Sequence, residues 1–86
     1  MTYPAPFEHL TEGQLKIAIA AAKGLSNREI AKVIGIRVQT VKFHMTAVLR
    51  RMGLDSRYKL IATVLKYDFD QQVEALNRKN SAPQQP

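Results

Sequence analysis

Between Arg37 and Lys59 this 86-residue chain places six basic side chains, Arg37, Lys42, Arg50, Arg51, Arg57 and Lys59, against the single acid Asp55. Guanidinium and ammonium groups at that density suit one task above others, the displacement of counterions from a polyanion. The whole chain shares the bias: 13 Lys and Arg against 7 Asp and Glu give a net charge of +6. Nucleic acid is the leading partner, and the plainer reading, a solvated helix face, must also account for how the bases are spaced. Other chemistries are poorly supplied. With no cysteine there is no disulfide framework, zinc finger or thiol nucleophile, and a reducing cytoplasm is permitted. His9 and His44 are far apart, and no carboxylate is spaced to complete a metal site with either. Without paired histidines or a glycine-rich phosphate loop no catalytic constellation assembles, so neither an enzyme nor a cofactor is expected.

The elements that must carry these residues follow from periodicity. Val41, Met45, Val48, Leu49 and Met52 recur on one face of a helix over Val38 to Met52, leaving Gln39, Lys42, Phe43, Thr46 and Arg50 on the other. One stripe holds the helix to a core, and the opposite stripe is free to enter a groove. Upstream, Gly24 stops a helix and Ser26-Asn27-Arg28-Glu29 forms a capping box that opens another over Asn27 to Ile34, with a turn at Gly35-Ile36. A short helix, a tight turn and a basic helix make the plan of a helix-turn-helix DNA reader.

Thr11 with Gln14 opens the first helix, Glu12 to Lys23, in which Gly13 costs about 0.5–1 kcal/mol relative to Ala and the alanine run lets another helix approach closely. Gly53 ends the third helix, and Leu54-Asp55-Ser56 caps a fourth from Arg57. Its apolar face, Leu60, Ile61, Val64 and Leu65, continues through Phe69, Val73 and Leu76, so helix is expected to Tyr67 and onward to about Asn77. The fold class is therefore all-α with four helices and an extended C-terminal helix. The expected organisation is a flexible N-terminal arm over 1–9, which contains Pro4 and Pro6, a helical domain over 10–67, a helical extension over 68–80 and a disordered tail over 81–86. No signal peptide is recognisable at the N-terminus, and Ile17 to Ala22, the longest apolar stretch, is too short to span a bilayer. A bacterial-type cytoplasmic setting, on the nucleoid when bound, is expected.

In one register from Leu10 to about Tyr67, the chain resembles the LuxR/GerE/FixJ-type helix-turn-helix family. The matching pieces are Leu10-Thr11, then Gly24-Leu25-Ser26-Asn27-Arg28-Glu29-Ile30-Ala31, Thr40-Val41-Lys42 with His44, Arg50-Arg51-Met52-Gly53, and Arg57. The resemblance implies a four-helix domain whose third helix lies in the major groove and whose fourth pairs two domains. Carried over by position, it puts Lys42, Phe43 and Thr46 against base edges and Thr40, His44 and Arg50 against phosphate. Leu25, Ser26 and Asn27 open the second helix, where backbone N–H groups suit a phosphate oxygen. Relatives usually have Arg-Glu where this chain has Gly13-Gln14, and a serine cap where it has Arg37. Losing that cap typically costs about 1 kcal/mol, and Arg37 is expected to reach phosphate instead. Phe43 is bulky for its position and suits thymine methyl groups. Most relatives carry the module behind a sensing domain, so the chain resembles the stand-alone, GerE-like members.

Two functions compete. The first is a sequence-specific transcription regulator that binds double-stranded DNA as a homodimer through Leu60, Ile61, Val64, Leu65 and Phe69, with RNA polymerase a further partner left open. The second is a protein-binding modulator that forms a heterodimer with a larger LuxR-type regulator and blocks or redirects it.

Overall fold

A computed structural model describes residues 3–80 and shows four α-helices, with no strand among the described residues. They are α1 (Glu12–Ala22), α2 (Asn27–Ile34), α3 (Val38–Met52) and α4 (Arg57–Asn80). The tail over 81–86 lies outside the described residues.

Local chemistry sets each start. At α1 the Thr11 hydroxyl accepts from the Gln14 N–H at 3.2 Å while the Gln14 side-chain oxygen accepts from the Thr11 N–H at 3.0 Å. Gln14 is buried, so a neutral amide completes the cap there without the desolvation of a carboxylate. Ser26 and Glu29 make the same reciprocal pair at α2, at 3.1 and 2.8 Å, and the Ser56 hydroxyl accepts from the Lys59 N–H at 3.2 Å at α4. Only α3 begins without side-chain help, because Arg37 occupies its cap position and makes no capping hydrogen bond. The turn into α3 depends on Gly35, whose φ of +83° lets its N–H and that of Ile36 both reach the Ala31 carbonyl, at 2.8 and 3.0 Å.

The helices close on one core. Ile17, Ala18 and Ala21 of α1, Ile30 of α2, Val41 and Val48 of α3 and Leu60 of α4 are buried, and the alanines bring α1 against both α3 and α4. α2 packs on α3, the helix-turn-helix pair.

The flexible, extended N-terminal arm expected over 1–9 is corrected for its described part. Residues 3–9 form turns, with the Phe7 N–H on the Pro4 carbonyl at 2.8 Å and the Leu10 N–H on the Phe7 carbonyl at 3.1 Å. Phe7 is buried and sets its ring edge-on to Tyr67 of α4, centroids 5.1 Å apart. The prolines exclude helix but not compaction, and burying a phenyl ring contributes about 1.5–3 kcal/mol toward folding the segment back. The Arg51 guanidinium adds a hydrogen bond to the His9 carbonyl at 3.1 Å.

α4 runs to Asn80, the end of the extension expected over 68–80 and three residues past Asn77. From Asp68 to Lys79 every side chain is exposed, so this stretch stands beyond the domain. It is supported along its own surface by Lys66–Asp70 at 2.9 Å, Gln72–Asp68 at 3.0 Å and Arg78–Glu74 at 3.5 Å, i,i+4 pairs worth about 0.2–0.5 kcal/mol each. No helix among the described residues is long and apolar enough to cross a membrane.

Candidate nucleic-acid interface

The six clustered bases fall into two groups once their partners are known. Arg51 holds the His9 carbonyl, Arg57 donates to Asn27 and to the Leu25 carbonyl, and Lys59 pairs with Asp55 at 3.0 Å. These three are engaged within the chain, Arg51 and Arg57 across it and Lys59 locally. Arg37, Lys42 and Arg50 are exposed and have no side-chain partner among the described residues, and all three lie on α3 or at its cap.

α3 presents them with its other outward residues. At 100° per residue, Lys42, Thr46, Gln39, Arg50 and Phe43 occupy an arc of about 100°, and all are exposed. Val41, Met45 and Val48 are buried on the other side, so the helix turns this arc away from its own core. Phe43 is 72% exposed and stands edge-on to His44 at 6.1 Å. A phenyl ring left in water at that level has surface available for an apolar contact. The Thr46 hydroxyl donates to the Lys42 carbonyl at 3.1 Å, which leaves its oxygen lone pairs and methyl group as the parts able to meet a base. Gln39, an amide in the same arc, belongs with these residues. Periodicity had placed it on this face, but the family positions gave it no role.

Around the arc sit the residues expected at phosphate. Both Thr40 and His44 are half-buried, Thr40 about 60° and His44 about 100° past the Phe43 edge of the arc, so His44 borders the buried side of the helix. His44 Nδ1 is buried without a hydrogen-bond partner among the described residues, so Nε2 is the ring nitrogen open to a ligand. At the start of α2, Ser26 is exposed while Leu25 and Asn27 are half-buried. Arg57 takes the Asn27 side-chain oxygen and the Leu25 carbonyl, leaving the Asn27 amide N–H groups and the first backbone N–H groups of the helix as donors. The Glu29 carboxyl, held below its usual range first by the Ser26 backbone N–H and then by the Ser26 hydroxyl, is committed to the cap. Among the described residues no group of His, Cys, Asp and Glu could hold a metal ion.

The residues expected to pair two chains are divided by the structure. Leu60 is fully buried in the core of its own chain, so its place on a pairing surface is corrected: the turn of α4 that carries it faces that core. Ile61 and Val64 are half-buried and pack against the same core. Leu65 and Phe69 are 51% and 63% exposed, and Tyr58 and Leu76 join them on the helix side opposite Leu60.

Residues 8–64 match the family model described as bacterial regulatory proteins, luxR family. The chain belongs to the luxR family. Its four helices are accordingly a luxR-type helix-turn-helix domain. Similar proteins include the nitrate/nitrite response regulator protein NarP of Escherichia coli, 45% identical over 60 residues, which cover 70% of this chain and 27% of NarP. The oxygen regulatory protein NreC of Staphylococcus aureus is 38% identical over 61 residues, 71% of this chain and 28% of NreC. This luxR-family chain thus spans about a quarter of the length of these relatives, and Phe7 and Tyr67 fall just outside the two ends of the family match.

Proposed function

We propose that this domain binds double-stranded DNA sequence-specifically, with α3 in the major groove, as one half of a pair that regulates transcription. One observation carries the reading. Of the six clustered bases, the three without an internal partner among the described residues, Arg37, Lys42 and Arg50, all lie on α3 or at its cap, beside exposed Gln39, Phe43 and Thr46, while Arg51 of the same helix is held by the His9 carbonyl. Lys42 and Gln39 read base edges, Phe43 and the Thr46 methyl group contact thymine methyls, and Arg37, Thr40, His44, Arg50 and the start of α2 at Leu25, Ser26 and Asn27 hold phosphate. Phosphate contacts supply salt-sensitive affinity and base contacts supply discrimination.

Binding measured by fluorescence anisotropy on selected and scrambled duplexes tests this. Lys42→Ala is expected to cost about 1–3 kcal/mol on the selected duplex and to relax discrimination. Arg50→Ala is expected to weaken both duplexes alike and to flatten the log affinity against log salt slope by about 1. A wild-type affinity that does not change with salt would overturn the reading.

Tyr58, Leu65, Phe69 and Leu76 support pairing, since an apolar stripe on the outer side of a helix calls for cover. The same stripe favours a second reading, in which the chain pairs with a larger LuxR-type regulator and blocks or redirects it. Direct binding of DNA by the purified chain alone separates the two.

A further inference from the structure

α4 carries the stripe on which the pairing reading rests, whereas α2 and α3 carry the side chains turned toward DNA. These two halves of the molecule touch little: α4 lies along α1, meets α3 slightly and makes no close backbone approach to α2. Arg57, the first residue of α4, crosses that gap. One guanidinium nitrogen donates to the Asn27 side-chain oxygen and the other donates to the Leu25 carbonyl at 2.7 Å. Both acceptors belong to the entry into α2, and the guanidinium is half-buried. A planar fork on two separate acceptors resists rotation as well as sliding, which a single ammonium on a flexible stem does not.

We propose that Arg57 is the joint that fixes the angle between the pairing helix and the DNA-reading pair α2–α3. It is a positioning residue, and through it a pair of domains would distinguish one half-site spacing from another. The proposal rests on the pairing reading. Two domains joined through α4 must deliver two α3 helices to half-sites set by the pitch of the duplex, and any play at the start of α4 is carried outward to both. Packing of α4 on α1 sets where the helix lies. The fork sets how the entry to α2 is turned against it.

The test uses the full chain, a half-site obtained by selection with the wild type, duplexes bearing one half-site, and duplexes bearing two at centre-to-centre spacings stepped by single base pairs. The wild type is expected to prefer one spacing over its neighbours by about tenfold, the equivalent of 1.4 kcal/mol. Arg57→Lys, which keeps the charge, and Arg57→Gln, which keeps a shorter donor, should both retain helicity and single-half-site affinity and lose that preference. Arg57→Lys with the wild-type spacing preference overturns the joint and leaves pairing standing. A wild type indifferent to spacing overturns pairing and the joint together. Loss of helicity, or of single-half-site binding, in both variants also overturns the joint, because Arg57 would then be a support of the fold or of the phosphate grip.

Discussion

At the residue scale, Glu29 shows how one ionisable group ties the start of α2 to pH. Its carboxylate accepts from the Ser26 N–H at 2.8 Å while its own N–H donates to the Ser26 hydroxyl at 3.1 Å, and its pKa lies below the usual 4.5 because the Ser26 backbone N–H favours the charged form. A group whose folded pKa is depressed contributes stability that is whole above the unfolded value and is lost as pH falls through the folded one. Glu29→Gln is therefore expected to melt below the wild type near neutrality, with the gap closing as pH drops below 4.5; a gap independent of pH in thermal melts would remove the charge from the account. The cap itself was legible from Ser26 and Glu29, three positions apart. The fates of the neighbouring bases were legible only in part. Lys59 and Asp55 stand at i,i+4, a spacing that announces a pair, whereas the partners of Arg51 and Arg57 lie at His9, Leu25 and Asn27, and no local pattern points across so many residues. Lys42 was legible because the helical period alone turns it outward.

Among the elements, α1 and α4 hold features that single substitutions can isolate. Gly13 sits in the first turn of α1 with nothing within 4 Å of where a β-carbon would stand. Gly13→Ala is expected to stabilise the domain by about 0.5 kcal/mol by restricting the unfolded chain, read as a rise in melting temperature with DNA affinity unchanged. On α4 the two sides differ. Val64 lines an apolar groove of about 390 Å³ with Tyr3, Phe7 and Ile19, so a charge there would disturb the fold along with any pairing, whereas Phe69 is exposed and lies beyond the core. On the pairing reading, Phe69→Glu is expected to sediment more slowly than the wild type and leave helicity intact; a wild type that sediments as a monomer, free and on DNA, would defeat that reading. The start of each helix was legible because caps and glycines act within four residues. Which side of α4 meets the core was not, because Leu60 and Leu65 are equally apolar and only the packing of the folded chain buries one and leaves the other exposed.

For the whole molecule, the reach of the fold beyond the family match is its least legible property. Pro4 and Pro6 argue for an open segment, and they do prevent a helix, but Phe7 is buried by Tyr67 and by the core, partners that no nearby residue reveals. The edge-on contact of those rings joins the N-terminal segment to α4, far apart in sequence, and this has a consequence for folding kinetics. Closing so long a loop costs more entropy than closing the shorter ones that bring α1 to α3 together. The contact between Phe7 and Tyr67 is therefore expected to form after the transition state. Phe7→Leu, which keeps an apolar side chain and loses an aromatic pair worth about 0.5–1.5 kcal/mol, should leave the refolding limb of a chevron unchanged and speed unfolding severalfold. Equal shifts in both limbs would place the contact in the folding nucleus. On this account, the N-terminal segment governs how long the native state lasts, and the helix-turn-helix governs how quickly it is reached.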